Sequence, residues 1–200
     1  MTARLFVMRH GSTTWNEEKR LQGRADIALS LRGRRQVMDL QLPLEFEGIP
    51  WLVSPLRRAR ETASLLGIEE PACEQRLVEM DWGHWEGRKV AELRVELGEE
   101  MQSNEDRGLD FRPPGGESPR EIQERLIPLL LELGSAGGVV GAVTHKGVIR
   151  ALYALATGWP MLGKPTHRLD WSAAQVFGIA EDGRLTLERA NVSLREFQVT

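Results

Sequence analysis

The chain has 200 residues, 41% of them hydrophobic and 28% charged, with a formal net charge of −3. That length and balance fit one globular domain with a sizeable core and exclude a low-complexity chain. So small a net charge gives neither wholesale attraction to nucleic acid nor repulsion of an anionic substrate, so any affinity for phosphate must come from locally placed arginines.

In chain order, the run from Met1 to Arg9 reads as a strand, with Leu5 to Met8 apolar enough to be covered on both faces. It lacks the apolar segment of a secretory leader, and no stretch approaches membrane-spanning length, so a cytoplasmic protein is expected. Ser30 suits the N-cap of a helix over about Leu31 to Leu42, and after Pro43 a strand is expected at Trp51 to Val53. Ser54 and Pro55 read as the next helix start, with Ala59, Thr62, Ala63 and Leu66 on one face and Arg57 in the first turn. Cys73, the only cysteine, excludes an internal disulfide framework or a CxxC pair and reads as a buried or idle thiol.

Arg76 to Glu79 is expected to form a short strand, and the less regular stretch that follows, with a helix near Arg88 to Leu97, reads as an excursion over the sheet edge. Ser118, Pro119 and Glu121 form a capping-box start, after which Ile122, Leu126, Leu129, Leu130 and Leu133 recur at helical spacing. Pro128 within that helix is expected to bend it or remove one backbone hydrogen bond. Val139 to Val143 and then Val148 to Ala156 repeat the strand, loop, helix theme. Gln175 to Ala180 and Arg184 to Arg189 flank Asp182 and Gly183 as an antiparallel hairpin, so the sheet is mixed. No repeat or linker divides the chain: a single domain over 1–200 is expected, with 80–116 as a lid-like excursion over the site.

Three apolar runs end where an open α/β sheet exposes its strand ends, and ligands of such sheets sit at those carboxyl ends. One runs into Arg9, His10 and Gly11, one into Ser54 and then Arg57, and one into Thr144, His145, Lys146 and Gly147. Two imidazoles and two guanidiniums therefore converge. Positive neighbours keep an imidazole neutral, and guanidinium forks bind phosphate oxygens, so the set suits attack by His10 nitrogen on a phosphoryl group. Arg57 in a helix's first turn would add backbone N–H groups to the same anion site. His84 and His167 lack this context and read as ordinary surface or hydrogen-bonded residues.

Glu79 is the expected proton donor, because Trp82 and Trp85 nearby and a phosphate dianion both favour a protonated carboxyl; Asp81 is the runner-up. Trp82, Trp85, Arg107 and Arg112 suit either packing or contact with a leaving group. The Ser12 to Arg24 loop, with Thr13, Asn16, Gln22 and Gly23, is expected to wrap the phosphate with amides and hydroxyls. A zinc site built from two histidines with Glu79 or Asp81 competes with this reading, but the arginines would repel a cation and no short metal spacing is present.

Arg9, His10, Gly11, Ser12 and Thr13, with Trp15, Asn16, Gln22 and Gly23, resemble the opening signature of the histidine phosphatase, or phosphoglycerate mutase-like, superfamily. Ser54 to Ala59 with Thr62 and Ala63, Glu79 to Gly87, Pro114 to Ser118, and Thr144 to Arg150 resemble its later motifs in order. The resemblance implies a three-layer α/β/α sandwich with a mostly parallel mixed sheet. It also implies a covalent mechanism without metal or other cofactor, in which His10 accepts the phosphoryl group. Arg9, Arg57 and His145 would complete the phosphate pocket, Asn16, Gln22, Gly23 and Thr144 would contribute to substrate binding, and Glu79 would act as general acid and then base.

Two positions depart from the pattern: Ser12 stands where many members have glutamate, and Lys146 where many have glycine. Lys146 either faces solvent or adds positive charge near the phosphate or its leaving group. The expected ligand is a small phosphate ester rather than nucleic acid or membrane, and both a monomer and a homodimer fit. Phosphomonoester hydrolysis is favoured because mutases of the group are usually longer. Cofactor-dependent phosphoglycerate mutase activity and a noncatalytic phospho-ligand binder are the alternatives.

Overall fold

The computed structural model describes residues 3–194, so Met1 and Thr2, the start of the run read for a leader, lie outside the described residues. Strand β1 spans Ala3–Arg9, and after the short helix α1 (Thr14–Glu17) comes α2 (Leu31–Met38). Strand β2 (Trp51–Val53), helix α3 (Arg57–Leu65) and the two-residue strand β3 (Ala72–Cys73) follow. Helices α4 (Val90–Leu97) and α5 (Glu99–Glu105) belong to the excursion. The long helix α6 (Pro119–Ala136) leads to β4 (Val139–Thr144), α7 (Lys146–Thr157) and the hairpin of β5 (Ala174–Ile179) and β6 (Leu185–Val192).

The six strands form one sheet in the order β3-β2-β4-β1-β5-β6. The first four run parallel and β5 is antiparallel to both its neighbours, which gives the mostly parallel mixed sheet. Successive side chains of β1 point to opposite faces, and both faces are covered. Leu5 and Val7 pack with Ile122, Leu126 and Val148 of α6 and α7. Phe6 and Met8 pack on the other side with Ala59 and Ala63 of α3, and Phe6 stacks on Phe46 at a ring separation of 4.1 Å. The two cores account for an uninterrupted apolar run in which every residue from Leu5 to Met8 is buried.

Several boundaries differ from the sequence reading. Helix α2 stops at Met38, and the Arg76 to Glu79 strand is replaced by β3 upstream and a 3₁₀ turn over Gln75–Leu77 capped by the Glu74 carboxylate. Helix α3 starts at Arg57 with Leu56 as N-cap, because the Ser54 hydroxyl is held by His145 while Pro55 makes the preceding bend. Pro128 sits inside α6, which continues past it to Ala136. Cys73 is exposed on the edge strand.

Candidate active site

Register builds the site. In the β1–β4 pairing, Arg9 lies opposite Thr144, so the next residues, His10 and His145, emerge side by side. The His10 amide donates to the Thr144 carbonyl at 2.9 Å, and the two rings lie 5.0 Å apart between centroids. In the β2–β4 pairing Val53 lies opposite Val143, which delivers Ser54 to the same end. Its hydroxyl meets His145 Nε2 at 2.6 Å. Three parallel strand ends thus supply Arg9 and His10, Ser54, and His145.

The hydrogen bonds assign the tautomers. His10 Nδ1 is 2.7 Å from the Gly11 carbonyl, which can only accept, so Nδ1 carries the proton and Nε2 keeps its lone pair. His145 Nδ1 accepts from Arg58 Nε at 3.2 Å, so its proton sits on Nε2, facing Ser54. Burial, and then the charges of Arg9 and Arg58, hold His10 well below the ordinary histidine value of 6.5. Burial, followed by His10 and Arg58, does the same to His145. Both rings are neutral at pH 7.

The second guanidinium is Arg58, and Arg57 is a correction to the sequence reading. Consecutive helical residues point about 100° apart, and the buried stripe of α3 is Arg58, Ala59, Thr62 and Ala63. Arg57 points outward, 55% exposed, and binds Glu61 one turn on at 2.7 Å. Arg58 is fully buried, its Nη1 donating to the Ala25 carbonyl and its Nη2 to the Gly23 carbonyl, each at 2.7 Å. Extending the apolar face back four residues from Thr62 gives 58, and that was the signal in the sequence. Thr62 also accepts the Gly11 amide at 2.9 Å and donates to the Arg58 carbonyl at 2.7 Å.

Arg9 makes no ion pair among the described residues, and its Nε is buried without a partner. A buried N–H left open costs roughly 1–3 kcal/mol, so an arginine kept in this state beside a neutral imidazole is prearranged for an anion.

Glu79 is buried, with one carboxylate oxygen accepting from the Met80 amide at 2.8 Å and from the Gly147 amide at 3.0 Å. Gly147 is required for this approach: a Cβ there would stand 2.3 Å from that oxygen. The chain around Glu79 is tied to α6 by Arg125, which donates to the Arg76 and Val78 carbonyls and binds Glu117. Asp81 lies outside this arrangement, accepting from the Gly83 amide and facing Arg24.

Other expected binding residues divide by what their side chains touch. Asn16 closes a capping box with Thr13, which uses its carbonyl oxygen and leaves its amide N–H groups without a protein partner among the described residues. Gln22 is 8% exposed with its carbonyl oxygen buried and unpartnered. Gly23 serves through its carbonyl, which holds Arg58, and its φ of 53° suits glycine; a Cβ would lie 1.9 Å from Glu86. The Thr144 hydroxyl donates to the Leu77 carbonyl at 2.7 Å, so that side chain fastens the Glu79 segment instead of meeting a ligand.

His84 is exposed, and His167 bonds the Tyr153 hydroxyl at 3.0 Å. Trp82 and Trp85 pack with Leu93, Met101 and Phe111 in a small apolar cluster of the excursion, and Trp82 and Phe111 join it to the core that holds Leu5 and Val7. Arg112 is bound to Glu121 and the Gly116 carbonyl, so it is part of the scaffold.

A sheet whose strand ends present a neutral histidine between guanidiniums, with a carboxylate held by backbone amides, defines a phosphoryl-handling α/β protein. The family model for the histidine phosphatase superfamily (branch 1) matches residues 5–193, and the chain belongs to that superfamily. It is similar to a glucosyl-3-phosphoglycerate phosphatase of Mycolicibacterium vanbaalenii, 34% identical over 179 residues that cover 80% of this chain and 79% of the relative. It is also similar to phosphoglycerate mutase-like protein 4 of Arabidopsis thaliana, 33% identical over 162 residues, 76% of this chain and 70% of the relative. A solved structure of a putative alpha-ribazole-5'-P phosphatase from Escherichia coli superposes with a TM-score of 0.79 at 25% identity, covering 99% of this chain and all of the other. Among the described residues no helix is long and apolar enough to cross a membrane.

Proposed function

We propose that the protein is a phosphomonoesterase for a small phosphorylated metabolite, working through phosphorylated His10. The observation that carries this reading is the His10 tautomer: Nδ1 is fixed by the Gly11 carbonyl, and no hydrogen bond among the described residues engages the Nε2 lone pair, which lies within the field of Arg9 and Arg58. In the first step Nε2 bonds to phosphorus, the ester P–O bond breaks, and the departing oxygen takes a proton from the Glu79 carboxyl. In the second, Glu79 takes a proton from water, the water oxygen bonds to phosphorus, the N–P bond breaks and inorganic phosphate leaves. Arg9 and Arg58 balance the charge on the equatorial oxygens through both steps, and Asn16 adds its free amide N–H groups. His145 borders this pocket and is a positioning residue, since its nitrogens hold Arg58 and Ser54. No step calls for a metal or cofactor.

Every group named comes from one chain, so this reading does not depend on a second copy. Segment 80–116 is read as the lid that sets specificity, its ends joined where the Glu117 amide donates to the Asp81 carbonyl. A cytoplasmic setting fits the lone exposed Cys73, which has no internal disulfide partner.

The test is rapid quenching with a ³²P-labelled ester. The parent chain should yield an acid-labile, alkali-stable phosphoprotein and release phosphate in EDTA, while His10→Ala yields neither. An active His10→Ala variant refutes the assignment. The likeness to a phosphoglycerate mutase-like protein favours one second reading, transfer back to a phosphoglycerate. Interconversion of 2- and 3-phosphoglycerate faster than phosphate release would establish it.

A further inference from the structure

Helix α7 begins with a charge pattern that its own stability does not explain. Lys146 occupies the first position, where the helix dipole disfavours a cation, and Arg150 lies one turn on, where like charges repel. Neither side chain makes an ion pair among the described residues, although Arg24, Arg76, Arg112 and Arg125 all have carboxylate partners. Each cation instead lies over an indole: the Lys146 Nζ is 5.1 Å from the ring centroid of Trp171, and the Arg150 Cζ is 5.2 Å from that of Trp159.

These indoles are fixed. Both pack against the core that lies under α6 and α7. Trp159 also donates to the Leu162 carbonyl at 3.1 Å and meets Tyr153 edge-on. Lys146 directly follows His145, its neighbour Gly147 binds Glu79, and it lies within electrostatic reach of Arg9, Arg150 and Glu79. Desolvation, and then the charges of Arg150 and Arg9, push its ammonium below the ordinary lysine value. The result is a second pair of cations, held over aromatic faces without an ion-pair partner among the described residues, directly after His145 and within the field of Glu79.

We propose that Lys146 and Arg150 form a carboxylate subsite beside the phosphate pocket, so that the preferred substrates are phosphate monoesters whose alcohol bears a carboxylate. This rests on the phosphatase reading above and adds the class of leaving group. An ammonium and a guanidinium fork bind a carboxylate by charge-assisted hydrogen bonds, which a neutral hydroxymethyl in its place does not form.

The experiment compares phosphate release from 3-phosphoglycerate and glycerol 3-phosphate, which share the phosphate and three-carbon frame and differ in that one group. The parent chain should favour 3-phosphoglycerate by about tenfold or more in kcat/KM, the worth of one charge-assisted bond. Lys146→Met should cut that ratio by about tenfold, chiefly through KM, and Arg150→Lys should lower it less. A ratio unchanged within twofold while both esters are hydrolysed overturns the subsite. Equal losses on both esters also overturn it, because Lys146 would then serve the phosphate itself. No phosphate release by the parent from any ester refutes the phosphatase reading, whereas hydrolysis with an unaltered ratio refutes this inference alone.

Discussion

Replacing Gly147 with alanine isolates the role of Glu79 without removing any charged group. The added Cβ would stand 2.3 Å from the Glu79 carboxylate oxygen and 3.2 Å from the Met80 Cβ. Ordinary C···O contacts begin at about 3.3 Å, so the carboxylate must retreat by about 1 Å. That movement breaks the bonds of 3.0 and 3.3 Å from the Gly147 amide and displaces the proton donor by an amount that costs on the order of 10²-fold in rate. Stability should change far less, because alanine favours the helix over glycine by roughly 0.5–1 kcal/mol while lost hydrogen bonds to a charged group cost roughly 1.5–3 kcal/mol. The net loss of about 0.5–2.5 kcal/mol corresponds to a fall of about 10 °C at most in Tm for a domain of this size.

The discriminating assay varies the leaving group. An alkyl phosphate needs its departing oxygen protonated, whereas p-nitrophenolate leaves without help, so Gly147→Ala should lose about 10²-fold in kcat on the first and much less on the second. Equal losses on both esters, or full activity on the alkyl ester, would refute Glu79 as the donor.

Two further outcomes follow from the electrostatics. Arg58→Lys should lower kcat/KM by about 10²-fold or more, since a lysine cannot reproduce the fork that engages His145, Gly23 and Ala25, whereas Arg57→Ala should stay within a few-fold; steady-state kinetics on both variants checks the assignment, and the reverse ranking would overturn it. The acid limb of kcat/KM should fall below pH 6.5, because His10 is held well below that value and loses its nucleophilic lone pair only when pH drops through its folded pKa. The same depression in His10 and His145 makes stability complete above the unfolded value near 6.5 and lost progressively as pH falls from there toward their folded values, a trend that urea titrations at several pH values would show.

The strand ends that carry Arg9, His10 and His145 were legible because a strand covered on both faces is apolar without interruption and then stops. What the sequence did not disclose is where a helix begins once a side chain upstream is engaged elsewhere. Ser54 has the residue type of an N-cap, but its hydroxyl serves His145 and α3 starts at Arg57; the inward direction of Arg58, by contrast, follows from counting back one turn from Thr62 along the buried face. The resemblance puts Thr144 among the substrate-binding residues, and nothing in a linear sequence shows that the Leu77 carbonyl takes its hydroxyl instead. Arg125 and Arg150 were invisible as contributors, since their value lies in carbonyls and indoles brought near by tertiary packing. The edge strand β3 was missed because two exposed residues carry no hydrophobic pattern.

The pairing of β1 with β4 has a consequence for biosynthesis. The two imidazoles come from opposite halves of the polypeptide and meet only when the fourth strand slots between the first and second, a contact of long sequence separation that forms late and slowly. A nascent chain that has emerged from the ribosome only as far as α6 already displays Arg9, His10, Arg58 and Glu79, yet β1 and β2 have no strand between them and the Glu79 carboxylate lacks the Gly147 amide. Competence should therefore switch on abruptly during synthesis, with the emergence of α7, instead of accumulating by degrees.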